Sequence, residues 1–468
     1  MIKFGTGGWR AIIGDEFIKS NIVSLAQAVA DDIIEKGKKD VGIVIGYDRR
    51  FLSDFAAQWV AEVFAGNGVT VHFVDRIAPT PLVMYGVKML GTPYGMAITA
   101  SHNPAEYNGI KVFIEGGRDA DISITQEFEK RIEAGVTVRQ MDFEKAKKEG
   151  IIKIADLYNS YIDSIISMIN MDAIRAKNMR VLLDPMFGVS KTALSTVLMT
   201  ARCDVDTINE RHDTLFGGRL PSPSAHTLAK LSNMVVEEGY DLGIGTDGDA
   251  DRIGIIDENG KFVHPNEIMM LLYYYLLKYK GWRGDVVRNV ATTCILDRIA
   301  DDFGQKCHEV PVGFKHISGM MEKTDALIGG ESSGGLTIRG HIKGKDGIFA
   351  SSLLVEMICT TGKHLSDLLA EIYEKYGYMQ MMEFDTKFSV EKKAEMYRVL
   401  YEEEALPEFD VKIANVSRAD GVKVTFENGG WIIARFSGTE PLIRIFCEME
   451  SKEHADKMIA TMREFLGI

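Results

Sequence analysis

The chain has 468 residues, with 54 Lys and Arg against 67 Asp and Glu and a formal net charge of −13. At about 100–200 residues per domain this length gives three domains, or four, and 46% hydrophobic with 26% charged residues excludes wholesale disorder. The acidic balance also argues against a dedicated nucleic-acid binder, which carries a strong basic excess. Residues 1–6 lack the apolar core of a secretory signal. Residues 41–45 (VGIVI) predict a buried strand, 53–66 the amphipathic helix after it and 68–74 the next strand. Strand signals recur at 180–184, 242–245, 253–256 and 285–290, and strands alternating with helices predict α/β domains with largely parallel sheets. The apolar run 268–277 spans 10 residues, against the ~20 needed to cross a bilayer. It reads as a buried core helix.

The last part of the chain differs. Residues 422–426, 431–434 and 442–447 are closely spaced strands followed by a helix at 452–465, and Asn428-Gly-Gly430 marks a hairpin turn. This predicts a small α+β domain. The charged stretch 144–150 and the segment 384–394 read as boundary regions, and no internal sequence repeat is evident. Cys203, Cys294, Cys307, Cys359 and Cys447 form no C-x-x-C pair, which fits reduced thiols of a cytosolic protein rather than a disulfide or zinc framework. A cytoplasmic chain with no membrane segment is therefore expected.

Four segments carry chemistry. In Thr99-Ala-Ser-His-Asn-Pro104, followed by Tyr107-Asn-Gly-Ile-Lys-Val112, a serine beside a histidine in a tight turn presents a nucleophilic hydroxyl, or is an ordinary Ser/Asn turn. In Gly245-Thr-Asp-Gly-Asp-Ala-Asp-Arg252, Asp247, Asp249 and Asp251 gather three carboxylates, as a hard divalent cation requires. An EF-hand is excluded there, because Arg252 stands where that loop needs glycine and 253–256 reads as a strand. A plain acidic turn is the other reading, disfavoured because interleaved acids repel.

In Gly329-Gly-Glu-Ser-Ser-Gly-Gly335, Glu331 and Ser333 between glycines offer an acceptor and a hydroxyl suited to sugar hydroxyls, or form a flexible loop. In Arg435-Phe-Ser-Gly-Thr-Glu-Pro441, backbone N–H groups with Ser437, Thr439 and the nearby Arg444 form an anion cradle, or a surface turn. Residues 5–10, 46–49, 313–316 and 341–347 are lesser candidates, each read by itself as loop residues or surface salt bridges.

Together and in this order, the four segments resemble the signatures of the α-D-phosphohexomutase superfamily, which includes phosphoglucomutases and phosphomannomutases, and residues 4–10 resemble its N-terminal motif. The resemblance implies four domains around a central cleft. Three are related α/β domains with mixed sheets (1–150, 151–262 and 263–378), and a C-terminal α+β domain (379–468) is similar to the TATA-box-binding protein fold. It further implies that Ser101 carries a phosphoryl group beside Mg²⁺ bound by Ser101, Asp247, Asp249 and Asp251. Arg10, His102, Lys111 and Arg252 then match catalytic positions. Glu331 and Ser333, with Lys315, His341 and Lys345, match a sugar site. Arg435, Ser437, Gly438, Thr439 and Arg444 match a phosphate site.

The implied reaction interconverts glucose 1-phosphate and glucose 6-phosphate, with glucose 1,6-bisphosphate as intermediate and activator. Gly313-Phe-Lys315 and Gly344-Lys-Asp-Gly347 resemble phosphoglucomutases, and Gly335 stands where glucosamine-phosphate and dual-specificity enzymes place histidine. The alternatives are a phosphomannomutase or dual-specificity mutase, a bisphosphate synthase, a metal-dependent phosphatase, and a non-catalytic phosphosugar-binding protein. A hexose phosphate partner, no nucleic acid, no membrane, and a monomer or homodimer complete the expectation.

Overall fold

Short aliphatic runs become buried strands because they can pair on both edges and bury both faces, while the amphipathic segments between them cover those faces as helices. The computed structural model describes residues 2–5, 7–437 and 442–468, and among these four sheets follow one another along the chain. In the first, Val71–Phe73, Ile43–Tyr47 and Tyr94–Ile98 run parallel and Tyr107–Ile114 closes the row antiparallel. The second repeats this order with Asp204–Thr207, Arg180–Asp184, Leu242–Thr246 and antiparallel Ile253–Ile256. The third repeats it again with Cys307–Val310, Val286–Asn289, Ile328–Gly330 and antiparallel Leu336–Ile338.

This shared wiring positions the candidate site. In each of the three sheets the antiparallel strand follows its neighbour through a tight connection, and those connections are residues 99–106, 247–252 and 331–335. The serine, aspartate and Glu-x-Ser loops thus occupy one equivalent place, beyond the carboxyl ends of parallel strands, where open α/β sheets bind ligands.

The fourth sheet is wholly antiparallel, ordered Gln380–Lys387, Leu442–Met449, Trp431–Phe436, Val422–Phe426 and Ile413–Ser417. Lys452–Leu466 packs on it, burying Met458 and Met462. The Arg435 motif begins at the end of Trp431–Phe436, where that strand pairs with the start of Leu442–Met449.

Helix Ser53–Gly66 and strands Arg180–Asp184, Ile253–Ile256 and Val422–Phe426 form at the predicted residues, and the other predicted elements differ only at their ends. Residues 384–394 are not a boundary: they contribute to strand Gln380–Lys387 and helix Val390–Tyr397. The stretch 144–150 belongs mostly to helix Phe143–Lys148, whose Ala146 is buried in the first core. The first sheet takes in Ile152–Ile154, parallel to Val71–Phe73, and so extends past residue 150.

The apolar run 268–277 lies in helix Pro265–Lys278, buried on nearly every side. It belongs to a continuous core that also holds Val44, Tyr161, Leu183, Ile253 and Leu353, so the first three sheets share one interior. The fourth sheet has its own core around Val424, Ile445 and Met458. It meets the third through a small cluster of Val290, Ala291, Trp431 and Ile433. Beside that cluster Lys423 Nζ donates to Val290 O at 2.8 Å, and Lys423 and Arg288 both bond Glu309. No helix among the described residues is long and apolar enough to cross a membrane.

Candidate active site

Ser101 opens the turn after Tyr94–Ile98 with φ +54° and is fully buried. A non-glycine residue in the left-handed region needs its surroundings to hold it there. Arg50 does so. Its Nη2 donates to the carbonyls of Ser101 and Asn103 at 2.7 and 2.6 Å, and its Nη1 to those of Pro104 and Tyr107 at 2.8 and 2.9 Å.

Asp48 accepts from the Arg50 backbone and from Ser53 Oγ, and the Arg50 guanidinium lies 4.8 Å from the Phe216 ring centre of the second unit. Sequence reading stopped at Arg49, one residue short of this clamp. Arg50→Ala is expected to destabilise the protein by about 3 kcal/mol, since it strands a buried carboxylate and four carbonyls. It should also lower kcat about 100-fold by letting the serine drift, a loss of the size that a 1 Å misplacement causes. Melting temperature and turnover measured on the same preparation check both.

Ser101 Oγ donates to Asp247 Oδ2 at 2.8 Å. Asp247, Asp249 and Asp251 are buried, with candidate ligand oxygens all within 4.8 Å of one another. The loops come this close because residue 248 is glycine: a Cβ there would sit 2.8 Å from the Ser101 carbonyl oxygen.

Asp249 Oδ2 accepts from Thr80 Oγ1 and Lys111 Nζ, both at 2.6 Å, and Asp251 Oδ2 accepts from Lys111 at 2.7 Å and forms an ion pair with Lys345 at 2.9 Å. Asp249 Oδ1 and Asp251 Oδ1 are buried with no hydrogen-bond partner. Orphaned carboxylate oxygens of this kind are costly, and a hard divalent cation satisfies them. The donor set therefore fits such an ion.

The titration of the cluster follows its charges. Burial, then Asp249 and Asp251, raise the Asp247 carboxyl well above its ordinary value. Burial also pushes against the other two, but Lys111 and Thr80 hold Asp249 below the usual range, and Lys111, Lys345 and Arg252 hold Asp251 well below it. Lys111 is raised: burial opposes its charge, and Asp249 and Asp251 outweigh that. Arg252, burial and Arg10 together push the His102 imidazole well down, and its Nδ1 lies 3.4 Å from Ser101 Oγ. Arg10, on strand Gly8–Ile12, donates to Asn103 Oδ1 at 2.6 Å.

The other predicted residues divide. Glu331 Oε1 accepts from the Gly313 amide at 2.8 Å, and Ser333 is exposed at the tip of its loop. Lys315 lines a small cavity with Gly7, Gly8, Lys111 and Asp119. Asp119, not singled out from sequence, lines the same cavity.

Lys345, expected at the sugar, is paired with Asp251. It reaches there because residue 335 lacks a side chain: a Cβ would lie 2.2 Å from Lys345 Cδ. His341 Nε2 is bonded to Asp346 at 2.6 Å and its ring packs against Phe349 and Tyr161, so it braces the loop.

Arg435 and Arg444 stand directly opposite on paired strands, with Arg435 Nε bonded to Asp420 Oδ1 at 2.8 Å and Arg444 Nε 3.5 Å from Asp385. Ser437 N closes the hairpin on Leu442 O. Gly438 and Thr439 lie outside the described residues. Thr80 and Arg50 escaped sequence reading because each acts on a motif far along the chain, and Asp420 because it lies on a separate turn before the motif it serves.

Profiles of the phosphoglucomutase/phosphomannomutase family match in succession: alpha/beta/alpha domain I over residues 1–139, II over 159–260, III over 264–376 and the C-terminal domain over 387–465. A phosphoglucomutase/phosphomannomutase of Thermococcus kodakarensis is 31% identical over 456 residues, covering 97% of this chain and 95% of its own. A phosphoglucosamine/phosphogalactosamine mutase of Sulfurisphaera tokodaii is 29% identical, covering 99% and 98%.

Among solved structures, a protein from Thermus thermophilus superimposes with a TM-score of 0.84 at 30% identity, covering 100% of this chain and 99% of its own. Parafusin, a phosphoglucomutase from Paramecium, superimposes at 0.83 with 20% identity, covering 100% and 96%, and at that identity bears on the fold alone. With four domain profiles in order and a relative alike over nearly its whole length, the chain belongs to the phosphoglucomutase/phosphomannomutase family of the α-D-phosphohexomutase superfamily.

Proposed function

We propose that the chain reversibly transfers a phosphoryl group between the 1 and 6 positions of glucose phosphate, through phosphorylated Ser101 and a 1,6-bisphosphate intermediate. The observation that carries this reading is the Ser101 hydroxyl hydrogen-bonded at 2.8 Å to one of three clustered buried carboxylates. Asp247, Asp249, Asp251 and an oxygen at Ser101 would hold Mg²⁺, which supplies Lewis-acid stabilisation when bound.

Phosphoryl transfer spreads negative charge over the equatorial oxygens, so catalysis rests on positioning and electrostatics. Lys111, Lys345, Arg252 and Arg10 supply that positive charge. The free 1- or 6-hydroxyl of the hexose phosphate attacks the phosphorus of phospho-Ser101, the bond to Ser101 Oγ breaks, and the proton lost by the hydroxyl ends on Ser101 Oγ. The bisphosphate then turns end over end and returns its other phosphate to Ser101. Unphosphorylated protein needs the bisphosphate as activator.

Glu331, Ser333 and Lys315 hold the ring in either orientation. Arg435, Ser437 and Arg444, with Gly438 and Thr439, hold the phosphate that is not reacting. Two arginines opposite each other on paired strands repel, and an anion between them removes that penalty. Binding at this remote phosphate lowers the barrier at the reacting one.

Gly313-Phe-Lys315 and the fit of Lys345 over Gly335 support glucose over substrates whose enzymes carry histidine at 335. The name of the Sulfurisphaera relative favours a second reading, a mutase for hexosamine phosphates, while that of the Thermococcus relative carries both glucose and mannose. Competition assays decide between them. The kcat/KM for glucose 1-phosphate is expected to exceed those for mannose 1-phosphate and glucosamine 1-phosphate by about tenfold or more. A preference of the same size for either of the others would overturn the glucose assignment.

A further inference from the structure

One carboxylate joins the fourth unit to the third at the candidate site. Asp420 Oδ1 accepts from Arg435 Nε at 2.8 Å, and its Oδ2 accepts from the Val312 amide at 2.7 Å. The next amide, Gly313, donates to Glu331 Oε1 at 2.8 Å. His316, a turn further on, lies in the fields of Lys315, Asp420 and Glu331, so these groups share one neighbourhood. An unbroken run of side chain and backbone therefore links the guanidinium of the phosphate motif to the carboxylate of the sugar motif.

The two ends of this run lie in separately built cores. Besides the Asp420 bonds, the fourth sheet meets the third through a small apolar cluster, the Lys423–Glu309–Arg288 ions and the Cys294 amide, which donates to Glu448 Oε2 at 2.9 Å. Units with separate cores move as bodies against one another, and a bond between them couples those movements. Both oxygens of Asp420 are engaged, so a shift of the guanidinium that keeps its bond bears on the Val312 amide. Charge-assisted bonds of this kind are short and directional, and fix orientation as well as contribute energy.

We propose that Asp420 is a positioning residue that couples the two ligand subsites. It orients Arg435 toward the non-reacting phosphate and, through Val312 and Gly313, sets Glu331 against the sugar ring. The inference rests on the proposed function above. It also suits a reaction whose intermediate must be gripped twice in opposite orientations, because seating either phosphate would reset the same ring acceptor.

The test is a double-mutant cycle between Asp420 and Glu331, with kcat and KM measured on the preferred hexose 1-phosphate and inhibition measured with inorganic phosphate. Asp420→Ala is expected to lower kcat/KM about 10- to 100-fold and to weaken phosphate inhibition. Asp420→Asn retains one acceptor oxygen and should recover part of the loss. In a Glu331→Gln background the effect of Asp420→Ala should shrink by at least about fivefold, because residues acting in one network are not additive.

Equal losses in both backgrounds would overturn the coupling, as would a fully active Asp420→Ala. If the alanine variant does not fold, the same cycle run with Asp420→Asn decides, and wild-type kinetics in that variant overturn the proposal. Arg435→Ala and Glu331→Gln test the underlying reading separately. If both are neutral, the substrate site itself is misassigned, whatever Asp420 does.

Discussion

Ser101→Ala is expected to lower kcat by at least about 10⁴-fold while leaving hexose phosphate affinity within about threefold. The asymmetry follows from the geometry. The variant removes one hydroxyl, and with it the atom that would carry the phosphoryl group. The clamp on the loop is made by Arg50 with backbone carbonyls, which alanine retains. The cations that would attract the substrate, Lys111, Lys345 and Arg252, belong to other segments and stay in place. A coupled assay gives the rate, and calorimetric titration with the hexose phosphate gives the affinity. Turnover near wild type would exclude the covalent route. An inert wild-type protein that still bound the sugar phosphate would favour the phosphosugar-binding reading.

Removal of divalent cations is expected to have the second largest effect, a loss of at least about 10³-fold in turnover that Mg²⁺ restores. The cluster brings three buried carboxylates together against two lysine ammonium groups, and leaves Asp249 Oδ1 and Asp251 Oδ1 without partners. Burial and like charge disfavour ionisation of all three at once, as the raised Asp247 carboxyl shows. A ligand that binds only the folded state raises its stability by mass action. Mg²⁺ added to chelated, unphosphorylated protein should therefore raise the melting temperature, and Asp249→Asn should abolish most of that rise. Full activity after chelation, or a melting temperature indifferent to Mg²⁺ in the wild type, would contradict the assignment of the trio.

Much of the site is legible from sequence because its chemistry is local. The serine, aspartate and Glu-x-Ser loops are each contiguous and punctuated by glycine, and the strands flanking them are continuous aliphatic runs. What is not legible depends on approach between distant segments. Arg50 lies 51 residues before Ser101, and Thr80 lies 169 before Asp249. No spacing rule reveals either pair.

The partner of Lys345 is equally hidden, since its reach to Asp251 depends on the empty space at Gly335. Strands Gln380–Lys387 and Ile413–Ser417 are harder to read than their neighbours because they are the edges of their sheet and bury little. The threefold repetition of sheet order leaves no sequence repeat, because topology constrains where apolar residues fall and not which ones they are.

The most direct test is to locate the phosphoryl group during turnover. Protein incubated with hexose 1-phosphate labelled in its phosphate, quenched in acid and digested, should carry label on the peptide containing Ser101, and a chase with unlabelled hexose phosphate should remove it. Label on another residue, or steady turnover with Ser101 never labelled, would contradict a hydroxyl that carries phosphate beside the three aspartates.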